Sequence, residues 1–164
     1  MTSGRRNFLK LSLAATLAVG AKGLTGVELS AAEKDKYALG TETLEKITGT
    51  SGAQVVESLK DIAPDLSRWI IEFSYADVLS RPALDLRSRE IATVAALTAM
   101  GTAAPQLKVH INGALNVGVK PEEVIEVILQ MAVYAGFPAC INGINIAREV
   151  FEERGLLPKK KKSN

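Results

Sequence analysis

The chain reads as an all-α protein, and three observations predict it. Apolar residues make up 47% of the 164 residues while aromatics make up only 5%, so Ala, Val, Ile and Leu must fill the core, which suits close-packed helices better than a β-sandwich. Those residues recur at helical spacing through several stretches. The stretches are punctuated as helices are, with Pro64 and Pro121 placed to open them and Gly101, Gly118 and Gly155 placed to close them. The length allows one domain with a real core and is too short for two of ordinary size.

The first thirty residues read as an address rather than as fold. Arg5-Arg6-Asn7-Phe8-Leu9-Lys10 precedes an apolar run from Leu11 to Val19, a charged region and a hydrophobic region too short to anchor in a bilayer. The two arginines followed by Phe-Leu-Lys resemble the twin-arginine export signal of bacteria, with Gly4 standing where Ser or Thr is usual. A general secretory signal that carries two arginines is the alternative. Cleavage fits after Ala21 or after Ala31, so residues 1–31 are assigned to the signal. Twin-arginine export carries proteins that are already folded, and one cysteine, Cys140, allows no intramolecular disulfide. The expected setting is periplasmic or otherwise exported, with the twin-arginine machinery as a partner.

Charge excludes one class of function. The signal holds Arg5, Arg6, Lys10, Lys22 and Glu28, which leaves 16 basic residues against 17 acidic in the remainder. Four of those positives form the tail Lys159–Lys162. A nucleic-acid partner is therefore not expected, because tracking phosphates needs a basic stripe on the fold. One His and one Cys cannot build a conventional His/Cys metal cluster, so neither a metal nor a cofactor is expected.

Residues 32–50 are polar and read as a flexible segment carrying at most a short helix, Thr43 to Ile47. The domain is expected over 51–157, followed by the basic tail 158–164. Ser51 can cap a helix running to about Asp61, with Val55, Val56 and Leu59 inward. Pro64 starts the next at its first turn, where a missing N–H costs nothing. Leu66, Trp69, Ile70, Phe73, Ala76 and Val78 then fall near helical spacing. Trp69 and Phe73, one turn apart, suit core or subunit contact, or the stacking of a substrate. Asp85 caps the helix Leu86–Met100, which Gly101 stops. From Ile91 to Met100 that helix has no charged side chain and four alanines, so it should be buried on most sides. Its first turn gathers Arg87, Arg89 and Glu90, and arginines beside a helix N-terminus suit a carboxylate.

Thr102 can cap the helix that carries His110, the chain's one histidine. Leu107, Ile111, Ala114 and Leu115 form that helix's apolar side, and His110 lies on it or at its edge. Unperturbed histidine can both give and take a proton near neutral pH, which makes His110 the first candidate for acid–base work. Pro121-Glu122-Glu123 opens a helix whose single polar stripe is Glu122, Glu126 and Gln130. So apolar a helix in so small a domain implies that another subunit covers part of it. Gly136-Phe137-Pro138 makes the next corner, and the last helix runs from Ala139 to about Glu153. Ile111-Asn112-Gly113 recurs as Ile141-Asn142-Gly143, an echo too short to claim a repeat. Cys140 reads by default as a small buried hydrophobe.

Four segments taken together resemble the carboxymuconolactone decarboxylase family: Leu86-Arg-Ser-Arg-Glu-Ile-Ala-Thr-Val-Ala-Ala-Leu, Leu107-Lys-Val-His-Ile-Asn-Gly-Ala-Leu-Asn-Val-Gly-Val, Pro121-Glu-Glu-Val-Ile-Glu-Val-Ile and Met131-Ala-Val-Tyr-Ala-Gly-Phe-Pro-Ala. The similarity covers about Leu84 to Phe151. It implies an alkylhydroperoxidase D-like helical fold whose dimers assemble into a trimer or hexamer. The peroxide-reducing branch of that wider family places a Cys-x-x-Cys pair before the helix histidine, with a glutamate upstream. Here the glutamate and histidine slots match Glu90 and His110, but the thiol slots fall near Ala103 and Gln106, so that disulfide cycle has no thiols to run on. The chain looks like the lactone-decarboxylating branch.

The resemblance implies a cofactor-free carboxy-lyase acting on a small unsaturated lactone or carboxylic acid. His110 would deliver the proton, Glu90 would orient or relay, and Arg89 would clamp a carboxylate. Two other readings stay open. One is antioxidant chemistry through Cys140 as a lone thiol, aided by pairing between subunits. The other is a non-catalytic oligomeric binding protein.

Overall fold

A computed structural model describes residues 31–157. Residues 1–30, which hold nearly all of the segment read as an export signal, and the lysine tail lie outside the described residues. Among the described residues every regular element is helical: α1 Ala31–Thr48, α2 Thr50–Ser58, α3 Pro64–Trp69 running into a π-helix Ile70–Leu79, then α4 Leu86–Met100, α5 Ala104–Asn116, α6 Pro121–Tyr134 and α7 Phe137–Glu153. The all-α expectation holds. None of these helices is long and apolar enough to cross a membrane.

The sequence signals account for most of the boundaries. Pro64 occupies the first turn of α3. The Asp85 carboxylate accepts from Ser88 N at 2.9 Å, which caps α4, and Gly101 closes it at φ 71°, a left-handed turn that glycine adopts without a Cβ penalty. Glu123 reaches back to accept from Lys120 N at 2.9 Å at the start of α6. Two caps differ from the sequence reading. Helix α5 begins after Ala103 with no side-chain cap, so Thr102 is not its cap. Ser51 lies inside α2 and donates to the Thr48 carbonyl at 2.8 Å. Helix α7 starts at Phe137, two residues early, with Pro138 in its first turn.

The largest correction concerns residues 32–50. Up to Thr48 they belong to one long helix, α1, rather than to a short and loosely held one. Leu44 and Ile47 are buried, Ile47 completely, and each such side chain is worth about 1.5–3 kcal/mol. Polar composition hid this, because only one narrow stripe of α1 faces inward. Gly40 allows the close crossing: a Cβ there would stand 2.2 Å from the Ile71 carbonyl oxygen of the π-helix. Asn116 fastens the other end, donating to the Ile47 carbonyl at 3.0 Å while accepting from Arg154 at 2.7 Å.

Two apolar cores result. Helices α4 to α7 enclose the larger one around Val94, Ile111, Ala114, Ile128, Ala147 and Val150. The smaller joins α1, α2 and the π-helix through Leu44, Ile47, Val56, Ile71 and Tyr75. The π-helix also reverses two inward assignments. Ser80 N bonds back to Tyr75 O, an i→i+5 step that widens the turn. A 3.6-residue count therefore slips, so that Ile71, Tyr75 and Ala76 are buried while Phe73 and Val78 are exposed.

Candidate active site

The helix that carries His110 is placed against α4 by the apolar side read from its sequence, since Leu107, Ile111 and Ala114 are all buried. This sets His110 one turn from Leu107 on the flank of α5 that meets the first turns of α4. Glu90 projects from α4 into the same space and is wholly buried, at 0% exposure. The two side chains meet: His110 Nδ1 lies 3.0 Å from Glu90 Oε2 and 3.3 Å from Oε1. With Glu90 ionised its oxygens only accept, an arrangement in which Nδ1 donates and Nε2 is the nitrogen left for a ligand. His110 keeps 19% of its side chain accessible, opening into a cavity of about 460 Å³.

That cavity lies at the seam between the two cores. Its apolar wall includes Leu44, Val56, Ile70, Phe73, Leu79 and Val109, and its polar groups are Ser74, Tyr75, Thr93, Gln106 and His110. Thr93 has its hydroxyl hydrogen engaged, donating to the Arg89 carbonyl at 2.9 Å. Tyr75 is buried, and burial pushes its phenol pKa up, with the charge of Glu90 adding and the Thr48 hydroxyl opposing. It therefore stays a protonated donor beside the His–Glu pair. Sequence reasoning passed over Tyr75 because the π-helix moved its face. The four-residue spacing from Ile71 was the signal that would have found it.

Two other expected residues lie elsewhere. Arg89 donates from Nε to the Leu84 carbonyl at 3.0 Å and from Nη2 to the Arg81 carbonyl at 2.9 Å. It braces the corner ahead of α4 and does not line the cavity, apart from the place a carboxylate clamp beside His110 would take. Its neighbour Arg87 pairs with Glu123. Cys140 is a free thiol buried in the larger core with Val94 and Ile128, on a different helix from His110 and outside the cavity. Of the two slots that hold thiols in the peroxide-reducing branch, Gln106 lines the cavity and Ala103 does not. Among the described residues no three His, Cys, Asp or Glu side chains gather as a metal set would require.

Glycine decides how closely the pair can be packed. A Cβ on Gly113 would stand 2.9 Å from Glu90 Oε2 and 3.1 Å from Ile47. The echoing Gly143 does the same service at the far end of α4, where a Cβ would stand 2.9 Å from both Thr98 and Ile128. The Ile-Asn-Gly echo thus marks two helices that each approach α4 closely.

Comparison with known proteins identifies the family. The model of the carboxymuconolactone decarboxylase family matches residues 64–149. A 4-carboxymuconolactone decarboxylase from Acinetobacter baylyi is 33% identical over 129 residues, covering 78% of this chain and 96% of that protein. A nitrosuccinic acid decarboxylase from Metarhizium robertsii is 30% identical over 106 residues, covering 62% of this chain and 73% of that one. An uncharacterized 15.0 kDa protein from Paracoccus denitrificans is 29% identical over 99 residues, 60% of this chain and 74% of its own. By a family match over more than half its length, and by a relative one-third identical across nearly the whole of that relative, this chain belongs to the carboxymuconolactone decarboxylase family.

Proposed function

We propose that this protein is an exported, cofactor-free decarboxylase acting by acid–base chemistry on a small unsaturated lactone or carboxylic acid. The observation that carries the reading is the His110–Glu90 pair beside a largely apolar cavity. Two similar proteins named as decarboxylases support the reaction class, while a shared fold leaves the substrate to the site.

The chemistry asked of the chain is modest. The bond between the carboxylate carbon and its neighbour breaks, its electron pair passes into a conjugated carbonyl, and carbon dioxide leaves. A proton must then reach the carbon. Glu90 accepts from Nδ1 and fixes the ring, and the transferable proton is the second one, carried on Nε2 by the imidazolium form of His110. Once it is given up, Nε2 is reprotonated from water. Tyr75 and Gln106 stand near enough to the same wall to donate to the carbonyl oxygen that gathers charge. The apolar remainder excludes water, which strengthens each of these interactions.

Assembly into a homo-oligomer belongs to the proposal. Leu129, Val133 and Tyr134 on α6 are exposed together with Phe137 and Ile141 on α7. Export rests on the segment from Arg5 to Val19. Replacing Arg5 and Arg6 with lysine should hold the protein inside the cell.

The test of the reaction is turnover of a panel of unsaturated lactone acids, 4-carboxymuconolactone included, by wild type and His110→Asn. Loss of carbon dioxide release by about 10²-fold or more in the variant is expected. Asn keeps a donor that can face Glu90, and a thermal melt beside the assay separates a loss of chemistry from a loss of fold. Equal turnover by the two proteins would sink the assignment.

A further inference from the structure

The charges around the cavity restrict what it can hold. Among the described residues its polar groups are neutral apart from His110, and no Lys or Arg lines it. The neighbouring arginines are engaged elsewhere, Arg89 on two backbone carbonyls and Arg87 on Glu123. Directly behind His110 lies the buried carboxylate of Glu90. Even with the imidazole protonated, the pair sums to zero charge. A compact lactone with two or three carboxylates would lose water from each of them against hydrocarbon, with nothing positive to replace it.

The rest of the wall asks for something different. Leu44 and Val56 lie buried at its base, while Val55, Phe73 and Val78 are exposed at its rim. An apolar lining that continues out to solvent is an open track for hydrocarbon, and 460 Å³ lies in the range of drug-sized ligands. The donors Gln106 and His110 sit together on α5, facing one end of a ligand rather than both.

Resting on the reaction proposed above, we infer that the substrate is an unsaturated acid, or an unsaturated lactone, that carries a single free carboxylate on a predominantly hydrocarbon body. The single carboxylate meets His110 and Gln106. The chain or ring behind it lies along α2 and the π-helix, reaching the rim at Phe73.

Binding tests this without requiring turnover. Calorimetric titration of the full oligomer with straight-chain monocarboxylates from butanoate to decanoate should show affinity rising about fourfold per methylene until the cavity is full. Dicarboxylates of equal carbon number should bind at least about tenfold more weakly. Val55 is exposed at the rim, so Val55→Asp should fold and should abolish the chain-length gain. Three results would overturn the inference: a dicarboxylate binding as well as its monocarboxylate partner, affinity independent of chain length, or a chain-length gain that survives Val55→Asp. The reaction fails separately, through His110→Asn. A chain-length series with no His110-dependent turnover keeps the ligand class and removes the decarboxylase, and the converse result does the opposite.

Discussion

Gly113 leaves room for the buried carboxylate of Glu90: a Cβ on it would stand 2.9 Å from Oε2. The glycine on α5 therefore sets how Glu90 faces His110, which sits one turn earlier on the same helix. Gly113→Ala should push the carboxylate aside by a few tenths of an ångström and misalign the ring. We expect kcat to fall about ten- to hundredfold, with stability lowered by about 1–3 kcal/mol from overpacking. Steady-state kinetics beside a thermal melt would separate the two, and unchanged kcat would mean that the pair tolerates the shift.

Glu90→Gln keeps the shape and removes the charge that fixes the imidazole. Because Glu90 does not line the cavity, it should act on kcat, lowering it about 10²-fold or more, while KM stays within about threefold. A variant that raised KM alone would place Glu90 in binding instead.

Arg89 offers the opposite case. Its guanidinium holds the Arg81 and Leu84 carbonyls, so Arg89→Ala should cost about 1 kcal/mol of stability and leave KM for a carboxylate substrate within about twofold. A tenfold rise in KM with no change in melting would return it to the role of clamp.

Cys140 is buried among aliphatic side chains away from the cavity. Cys140→Ser should lower stability by about 1–3 kcal/mol through the unpartnered hydroxyl and leave turnover unchanged. Peroxide consumption that disappears in this variant would instead establish thiol chemistry.

Asp85 supplies a pH test of the α4 cap. The N–H of Ser88, then its hydroxyl, hold the Asp85 carboxyl below its ordinary value of 3.8. A folded-state pKa that is depressed contributes stability in full above the unfolded value and loses it as pH falls through the folded one. Asp85→Ala should therefore melt below wild type at pH 7, and the gap should narrow as pH drops below 3.8. A gap that stays constant down to pH 2 would show that the cap acts without its charge.

Helix starts and stops were legible wherever one residue type does a local job, as at Pro64, Asp85, Gly101 and Pro121. These signals depend on backbone geometry within a single turn. Helix α1 was not legible, because its buried stripe is narrow and its partner, the π-helix, is about thirty residues away. Phe73 and Tyr75 exchanged faces for a related reason, since i→i+5 bonding breaks the 3.6-residue count.

By itself the sequence determined the helical class, the order of the C-terminal helices, and Glu90 and His110 as the acid–base candidates. Composition, periodicity and a family's motifs are properties of the chain alone. Only the tertiary structure decided that these two residues touch, that Arg89 turns back to its own corner, and that no Lys or Arg among the described residues lines the cavity beside them. Each of those depends on which helices cross and how closely, and here Gly40 and Gly113 set the distance by carrying no side chain at the crossing.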